Sequence, residues 1–212
     1  MKLFFFLIFP LLVFSLEIKQ TPIVFGEKRV DLTKEYIRLH YGIEAKNITI
    51  EPKIIVLHHT ASDDFNVSFA CLVDEELKNS DRPEIQAGGS LNVSTHFLVD
   101  RDGTIHQLMP LDMMARHVIG LNHNAIGIEN VGSNDDLTPQ QVASNIAIVK
   151  YLQTKFPSIE YLIGHYEYQC FEKNPLWLEK NSDYRTQKHD PSPRFMSEVR
   201  QGVSGLKGAP CE

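Results

Sequence analysis

An apolar run at residues 54–57 leads directly into two adjacent histidines, His58 and His59, and this feature constrains the fold most. Such a run is typical of a buried strand, which we expect over residues 53–59. A histidine pair at the end of a core strand needs a structural or functional reason. Because neighbouring side chains on a strand face opposite sides, only one of the two can face a common site.

Residues 138–156 carry the clearest helix signal of the chain. Thr138 is the predicted N-cap, Pro139 occupies the first helical position, and Gln141 completes a capping box. Apolar residues then recur at helical spacing, which predicts one buried face. The members of this predicted face are Val142, Ile146, Val149, Leu152 and Phe156.

The remaining patterns predict an α/β fold. Two alternating runs flank Asp102 and Gly103, a signal for a β-hairpin. Residues 125–132 and 161–165 predict further strands, residues 66–80 predict a helix, and a short helix is expected to end at Gly42. Alternating strands and helices favour a central β-sheet flanked by helices, and the hairpin makes that sheet mixed.

Composition favours one domain and argues against nucleic acid as a partner. Of 212 residues, 42% are hydrophobic and 23% are charged, which suffices for a single core. The net charge is −6, and the chain has no basic stripe of the kind that nucleic-acid binding requires.

The N-terminus predicts export. Lys2 precedes an apolar run at residues 3–14, which is too short to span a bilayer and is typical of a signal peptide. We expect cleavage after Ser15, no stable membrane span after cleavage, and a location in the periplasm or outside the cell.

The three cysteines allow one disulfide in an exported protein. Cys71 lies in an apolar helical pattern, so Cys170 and Cys211 are the favoured pair. The sequence leaves the other pairings open.

Polar residues at strand ends point to a metal site. His58, His165 and Asp190 each follow a strand-like segment or lie at its end. Two imidazoles and one carboxylate can bind Zn²⁺ and leave its fourth position open. Glu129 interrupts an apolar strand and could act there as a general base. Each of these residues alone also fits a structural role.

Five segments occur in an order that resembles a known family: "VLHHTA", "THFLVDRDGTIHQL", "ARHVIGLNHNAIGIENVG", "LIGHYEY" and "KHDPSPRF". Together, over about residues 53–200, they resemble the zinc-dependent N-acetylmuramoyl-L-alanine amidases of the type 2 amidase family. That family also includes phage amidase-type lysozymes and the peptidoglycan recognition proteins. The resemblance implies hydrolysis of the amide between N-acetylmuramic acid and L-alanine in peptidoglycan or muropeptides.

The resemblance also implies the site residues. One Zn²⁺ per chain would be bound by His58, His165 and Asp190. Glu129 would move the proton of the attacking water, and Lys188 would stabilise the developing oxyanion. The aspartate as third ligand resembles the bacterial, AmpD-like branch.

Further positions near the motifs carry weaker expectations. Thr60 and His117 are candidate substrate-binding residues. His189 is a rival to Asp190 as third ligand, and His96 is expected to be structural.

Three departures from the family pattern stand out. Asp190 is followed by Pro-Ser instead of the more common Pro-Gly, and 25 positions separate it from His165. The intervening residues look loop-like and include "NPLWLEKNSDYRT", which either frames the cleft or is a peripheral loop. Some branches of the family use a tyrosine near the zinc, and no tyrosine of this sequence is assigned to that position.

The predicted organisation is a signal peptide at residues 1–15, a lead-in segment at 16–50, a zinc amidase domain at 51–205 and a tail at 206–212. We expect a monomer. The alternatives are a peptidoglycan-binding recognition module without catalysis and a zinc hydrolase of small released muropeptides.

Overall fold

A six-stranded mixed β-sheet forms the centre of the protein, in a computed structural model that describes residues 16–78, 82–133 and 136–211. The strand order is β1-β4-β3-β5-β2-β6, and the β3–β4 hairpin supplies the antiparallel pair of the sheet. The fold class predicted from the sequence is therefore confirmed. The strands are β1 (Lys19–Gln20), β2 (Ile54–His59), β3 (Phe97–Val99), β4 (Ile105–Gln107), β5 (Ala125–Asn130) and β6 (Tyr161–Gly164).

Within the described residues, five α-helices connect and cover the strands: α1 (Glu27–Tyr36), α2 (Phe65–Val73), α3 (Pro83–Gln86), α4 (Pro139–Lys155) and α5 (Pro193–Gln201). A π-helical turn, Ile37–Tyr41, extends α1 and ends at Gly42 as predicted. The helix predicted over residues 66–80 was too long, because Asp74 is already extended and ends α2. The described ranges also contain two 3₁₀ helices, Asn122–Asn124 and His165–Phe171, so the segment after β6 is less loop-like than predicted.

Strand β2 is buried on both faces. Its side chains Ile55 and Leu57 pack with α4 and α5 on one side. Ile54 and Val56 pack on the other side with the lead-in residues, including Tyr36 of α1. This two-sided burial explains why the strand reads as a continuous apolar run in the sequence.

Helix α4 has the predicted cap, but its buried face is rotated from the predicted one. Thr138 and Gln141 form the expected capping box. Val149 and Leu152 are buried as predicted, whereas Val142, Ile146 and Phe156 are only partly buried. The buried face instead includes Gln141, Asn145 and Ile148.

The amides of α4 can be buried because they are hydrogen-bonded. Gln141 Nε2 donates to the Val131 carbonyl at 2.8 Å, and Asn145 Nδ2 donates to Asn130 Oδ1 at 2.6 Å. Asn130 Nδ2 in turn donates to the backbone carbonyl of His58 at 3.0 Å. A polar network thus connects α4 with the end of β2.

The lead-in segment shares its core with the rest of the protein. His40 Nδ1 lies 2.8 Å from Glu179 Oε2, and both side chains are buried. The Lys180 backbone N–H also donates to the His40 carbonyl at 2.9 Å. These contacts attach α1 and its π-turn to the insertion between β6 and Asp190.

The C-terminal tail is attached by a disulfide between Cys170 and Cys211, which confirms the favoured pairing. Cys71 remains outside it and is exposed. The predicted signal peptide at residues 1–15 lies outside the described residues. Within the described ranges, no helix combines the length and apolar character needed to cross a membrane.

Candidate active site

The strand register brings three of the predicted residues together at one sheet edge. Strand β2 pairs in parallel with β5, so that His58 lies directly opposite Glu129. On its other side β2 pairs with β6, where Leu57 lies opposite Gly164. His165 follows Gly164 and therefore lies beside His58. Parallel strands end at a common edge of the sheet, where sites of α/β proteins gather.

His58, His165 and Asp190 form a tight cluster of potential metal ligands. The ligand atoms of the three residues all lie within 4.8 Å of one another. His58 Nδ1 is 3.0 Å from His165 Nδ1 and 3.4 Å from Asp190 Oδ2. His165 Nδ1 is 3.1 Å from the same carboxylate oxygen. Among the described residues this is the one group of three that could hold a metal ion.

The cluster fits Zn²⁺ in both chemistry and size. Zinc binds imidazole nitrogen and carboxylate oxygen at about 2.1 Å, so tetrahedral ligands lie about 3.4 Å apart. The observed separations of 3.0–3.4 Å match that spacing. Two imidazole nitrogens and one carboxylate oxygen lie close together, and this set of donors is one that a catalytic zinc site uses.

Asp190 is held in place by its neighbours along the chain. Its backbone carbonyl accepts a hydrogen bond from Tyr166 N at 3.0 Å, which ties it to the residue after His165. Two residues later, Ser192 caps helix α5, and its side chain accepts from Phe195 N at 3.3 Å. The long insertion therefore returns the third ligand to the sheet edge at a fixed point.

The charges of the cluster suit metal binding, which requires neutral imidazole and ionised carboxylate. Burial, reinforced by the neighbouring His165, lowers the pKa of His58 to about 4. Burial opposes ionisation of Asp190, but His165 and His58 hold the pKa of its carboxyl well below the ordinary value. His58 is therefore neutral and Asp190 charged at neutral pH.

Glu129 lies next to the cluster with an unusual proton affinity. Its Oε1 is 4.0 Å from His58 Nδ1, and 17% of its side chain is exposed. Burial raises the pKa of Glu129 to about 8, and the Asp190 charge adds to this rise, while Lys188 and Arg82 oppose it. Oε2 is buried and accepts no hydrogen bond from any described residue. A carboxyl group in this state is suited to exchanging protons near neutral pH.

Lys188 is partly buried at the same cavity. Burial, with the nearby Arg82 cation, lowers the pKa of Lys188, whereas Asp190 and Glu129 favour its charged form. Its ammonium group therefore belongs to the same electrostatic cluster as the two carboxylates.

All seven site residues predicted from the sequence line one cavity of about 570 Å³. This volume lies within the range of sites for small molecules and cofactors. The seven residues are His58, Thr60, His117, Glu129, His165, Lys188 and Asp190.

The candidate substrate-binding residues Thr60 and His117 both contact other side chains or the backbone of the protein. The Thr60 hydroxyl donates to the Ser62 carbonyl at 3.0 Å and accepts from Ser68 Oγ at 2.9 Å. His117 Nδ1 lies 3.0 Å from His58 Nε2. Substrate contact by either residue stays a prediction.

The other histidines near the motifs take different places. His59 also lines the cavity, although only one histidine of the pair was expected to face the site, but it is not part of the ligand cluster. Its Nδ1 accepts from the backbone N–H of Ala61, which has a left-handed φ of 58°. His189 is exposed and is not part of the ligand cluster. His96 is buried, accepts from Gly127 N at 3.0 Å, and thus has the structural position expected for it.

Sequence reasoning missed the residues that form the outer wall of the cavity. Arg82 and Glu84, at the start of α3, line it together with Tyr184, which comes from the insertion. The end of the insertion therefore frames the cleft. Arg116 is buried among these segments. The sequence carries no local signal for these wall residues, because the residues that contact one another are far apart along the chain.

Arg116 holds the wall segment from α3 to residue 91. Its guanidinium donates to the backbone carbonyls of Ile85 and Leu91, and to that of Gly89 at 3.3 Å. It also contacts the Tyr184 hydroxyl at 3.3 Å. One buried cation thus connects the wall segment to the insertion.

Comparison with known proteins shows the class of fold. AmpD shares a TM-score of 0.56 with this chain at 22% identity, over 89% of this chain and 95% of AmpD. The N-acetylmuramoyl-L-alanine amidase LysC of Clostridium intestinale has a TM-score of 0.52 at 21% identity, over 90% of this chain and 100% of LysC. Peptidoglycan recognition protein LE has a TM-score of 0.51 at 18% identity, over 76% of this chain and 85% of that protein. The fold is therefore that of type 2 amidases and peptidoglycan recognition proteins.

The sequence profile of the N-acetylmuramoyl-L-alanine amidase family, Amidase_2, matches residues 48–193, so the chain belongs to this family. The endolysin of Enterobacteria phage K11 is 30% identical over 84 residues, which are 36% of this chain and 56% of the endolysin. The endolysin of Escherichia phage T7 is 35% identical over 75 residues, 32% of this chain and 50% of the endolysin. The chain thus spans about half the length of these curated relatives.

We predict that Arg116→Ala loosens the cavity wall. The substitution leaves the buried Leu91 carbonyl without this donor and removes the part-buried bonds to Ile85 and Gly89, which should lower the free energy of unfolding by about 2–4 kcal/mol. Denaturant unfolding measures this loss, and limited proteolysis should cut first within residues 82–91. Arg38→Ala, at an exposed position of the π-turn, is the control. Equal stability of the two variants would contradict the role given to Arg116.

Proposed function

We propose that this protein is a zinc-dependent N-acetylmuramoyl-L-alanine amidase that acts on peptidoglycan or muropeptides. The observation that carries the proposal is the cluster of His58, His165 and Asp190 beside Glu129 in one open cavity. Membership of the Amidase_2 family supports the same reaction.

His58, His165 and Asp190 would hold the metal ion through Nδ1, Nδ1 and Oδ2, the atoms that face one another in the cluster. When bound at such a site, Zn²⁺ acts as a Lewis acid that polarises a carbonyl and lowers the pKa of water. The three side chains leave one side of the cluster facing the cavity, where an amide substrate can enter.

Glu129 would carry the proton during hydrolysis. Lys188 and Arg82 favour the ionised form of Glu129. In that form its carboxylate would take a proton from the attacking water, whose oxygen forms a bond to the lactyl carbonyl carbon. When the carbon–nitrogen bond breaks, Glu129 returns that proton to the leaving nitrogen of L-alanine. The products are a carboxylate on the sugar and a free amine on the peptide.

Lys188 would stabilise the charge that develops on the carbonyl oxygen. It is partly buried in the cavity, near both Asp190 and Glu129. A fixed cation in a site with restricted water stabilises a developing oxyanion more strongly than it would in bulk solvent.

The names of similar proteins support the substrate class. LysC is named as an N-acetylmuramoyl-L-alanine amidase, and the structure of peptidoglycan recognition protein LE is a complex with a monomeric peptidoglycan fragment. One name refers to the bond between N-acetylmuramic acid and L-alanine, and the other to a bound fragment of peptidoglycan.

We predict metal-dependent release of stem peptides from purified sacculi. The wild-type protein should cleave the bond between N-acetylmuramic acid and L-alanine, and chelation should abolish this cleavage until zinc is restored. Glu129→Gln should reduce turnover by at least about 100-fold, because the general base is lost. Mass spectrometry of the released peptides provides the measurement. Binding of sacculi without cleavage would instead favour the recognition module.

We predict that zinc content separates the ligands from Glu129. His58→Ala and Asp190→Asn remove a ligand and should lose most of the bound zinc, since catalytic zinc sites have only three protein ligands. Glu129→Gln should keep about one zinc per chain. Elemental analysis of dialysed proteins tests this, and full zinc occupancy in both ligand variants would refute the assignment.

We further propose that the protein is exported, on the basis of the apolar run at residues 3–14. Cleavage after Ser15 would produce a mature chain that begins at Leu16. Intact mass and N-terminal sequencing of the protein from the periplasm or medium test this proposal. An uncleaved N-terminus in the cytoplasm would exclude it.

A further inference from the structure

His117 contacts the candidate ligand His58 from the side opposite the cluster. His117 Nδ1 lies 3.0 Å from His58 Nε2, and the two rings meet edge to face at 87°. The other nitrogen of His58, Nδ1, faces His165 and Asp190. His58 is therefore held between the ligand cluster and one further imidazole.

We propose that His117 is a positioning residue, which fixes the tautomer and the ring orientation of His58, and is not a substrate-binding residue. This inference rests on the proposed zinc site. A ligand that binds metal through Nδ1 carries its proton on Nε2. His58 then donates that proton to His117 Nδ1, which accepts with its lone pair. Partners of this kind hold metal-binding histidines in place.

The nitrogens of His117 leave little room for a substrate contact. Nδ1 is already engaged by His58. Nε2 is buried and makes no hydrogen bond within the described part of the chain. The ring lines the cavity, but neither nitrogen offers a free polar contact to a molecule in it.

The backbone around His117 fixes the position of the ring. Asn122 Oδ1 accepts hydrogen bonds from the backbone N–H groups of His117 and Val118, both at 2.8 Å. Asn122 is almost fully buried, and its Nδ2 donates to the Tyr36 hydroxyl at 3.3 Å. A rigid turn therefore presents the imidazole to His58.

Gly127 of β5 provides the space for this approach. A Cβ atom at Gly127 would lie 2.8 Å from both Cγ and Nδ1 of His117, closer than real Cβ contacts allow. Gly127 precedes Glu129 by two positions, so it lies on the same face of the sheet. The absence of a side chain at Gly127 lets His117 lie over the strand and reach His58.

Two substitutions at position 117 test the proposal. His117→Leu keeps a similar volume without an acceptor, whereas His117→Asn places an amide oxygen close to the position of Nδ1. We expect His117→Leu to weaken zinc binding by about 10- to 100-fold, and His117→Asn to recover most of this loss. The measurement is zinc affinity by chelator competition, with the absorption spectrum of the Co²⁺-substituted protein as a second readout.

Gly127→Ala and His123→Asn complete the experiment. Gly127→Ala displaces the imidazole without removing it and should also weaken zinc binding. If His117→Leu does not fold, the zinc affinity of Gly127→Ala tests the positioning role. His123 lies on the nearby 3₁₀ helix, outside the residues that line the cavity, so His123→Asn should keep wild-type affinity.

The outcomes separate this inference from the proposed function. Wild-type zinc affinity in His117→Leu and Gly127→Ala, with a raised KM for muropeptides, would overturn the positioning role and favour substrate contact. A wild-type protein that binds no zinc would overturn the zinc site and this inference together. Weakened zinc binding in both variants, with recovery in His117→Asn, supports it.

Discussion

The parallel pairing of β2 with β5 and β6 is the constraint on which the candidate site depends. It places Glu129 opposite His58 and brings His165 beside it. A shift of one residue would move the His58 side chain to the other face of the sheet. The fully buried side chains Ile55 and Leu57 oppose such a shift, because it would expose them or force them against the wrong layer. Core packing on both faces of the sheet thus sets the geometry of the ligands.

Several polar groups without hydrogen-bond partners lie around this edge. Within the described residues, Thr95 Oγ1, His117 Nε2 and Glu129 Oε2 are all buried and unpaired. Ala61, just after the end of β2, has a left-handed φ, a backbone conformation that is unfavourable for residues with a Cβ atom. Unpaired buried polar groups and strained backbone both lower stability, and they concentrate at functional sites, where the surrounding fold holds them in place. The stable core of β2 and β5 compensates for them.

The sequence predicted those parts of the structure that have a local cause. The apolar run of β2, the capping box at Thr138 and the turn at Gly103 act over a few residues, and all three lie where they were expected. The buried face of α4 was misplaced, because Gln141 and Asn145 look like surface residues until their partners are known. The links between His40 and Glu179 and around Arg116 join distant segments, and a single sequence does not reveal them. The choice of His58 over His59 came from family resemblance, since alternation alone allows either.

The disulfide between Cys170 and Cys211 closes a covalent ring around the third ligand. The ring spans a sequence separation of 41 and includes Lys188, Asp190 and helix α5. A chain-entropy estimate for a ring of this size gives about 4 kcal/mol of stabilisation through the unfolded state. The ring also has a topological effect. A single backbone cut anywhere between residues 171 and 210 opens the ring but leaves both pieces joined, so a nicked molecule still carries the segment with Asp190.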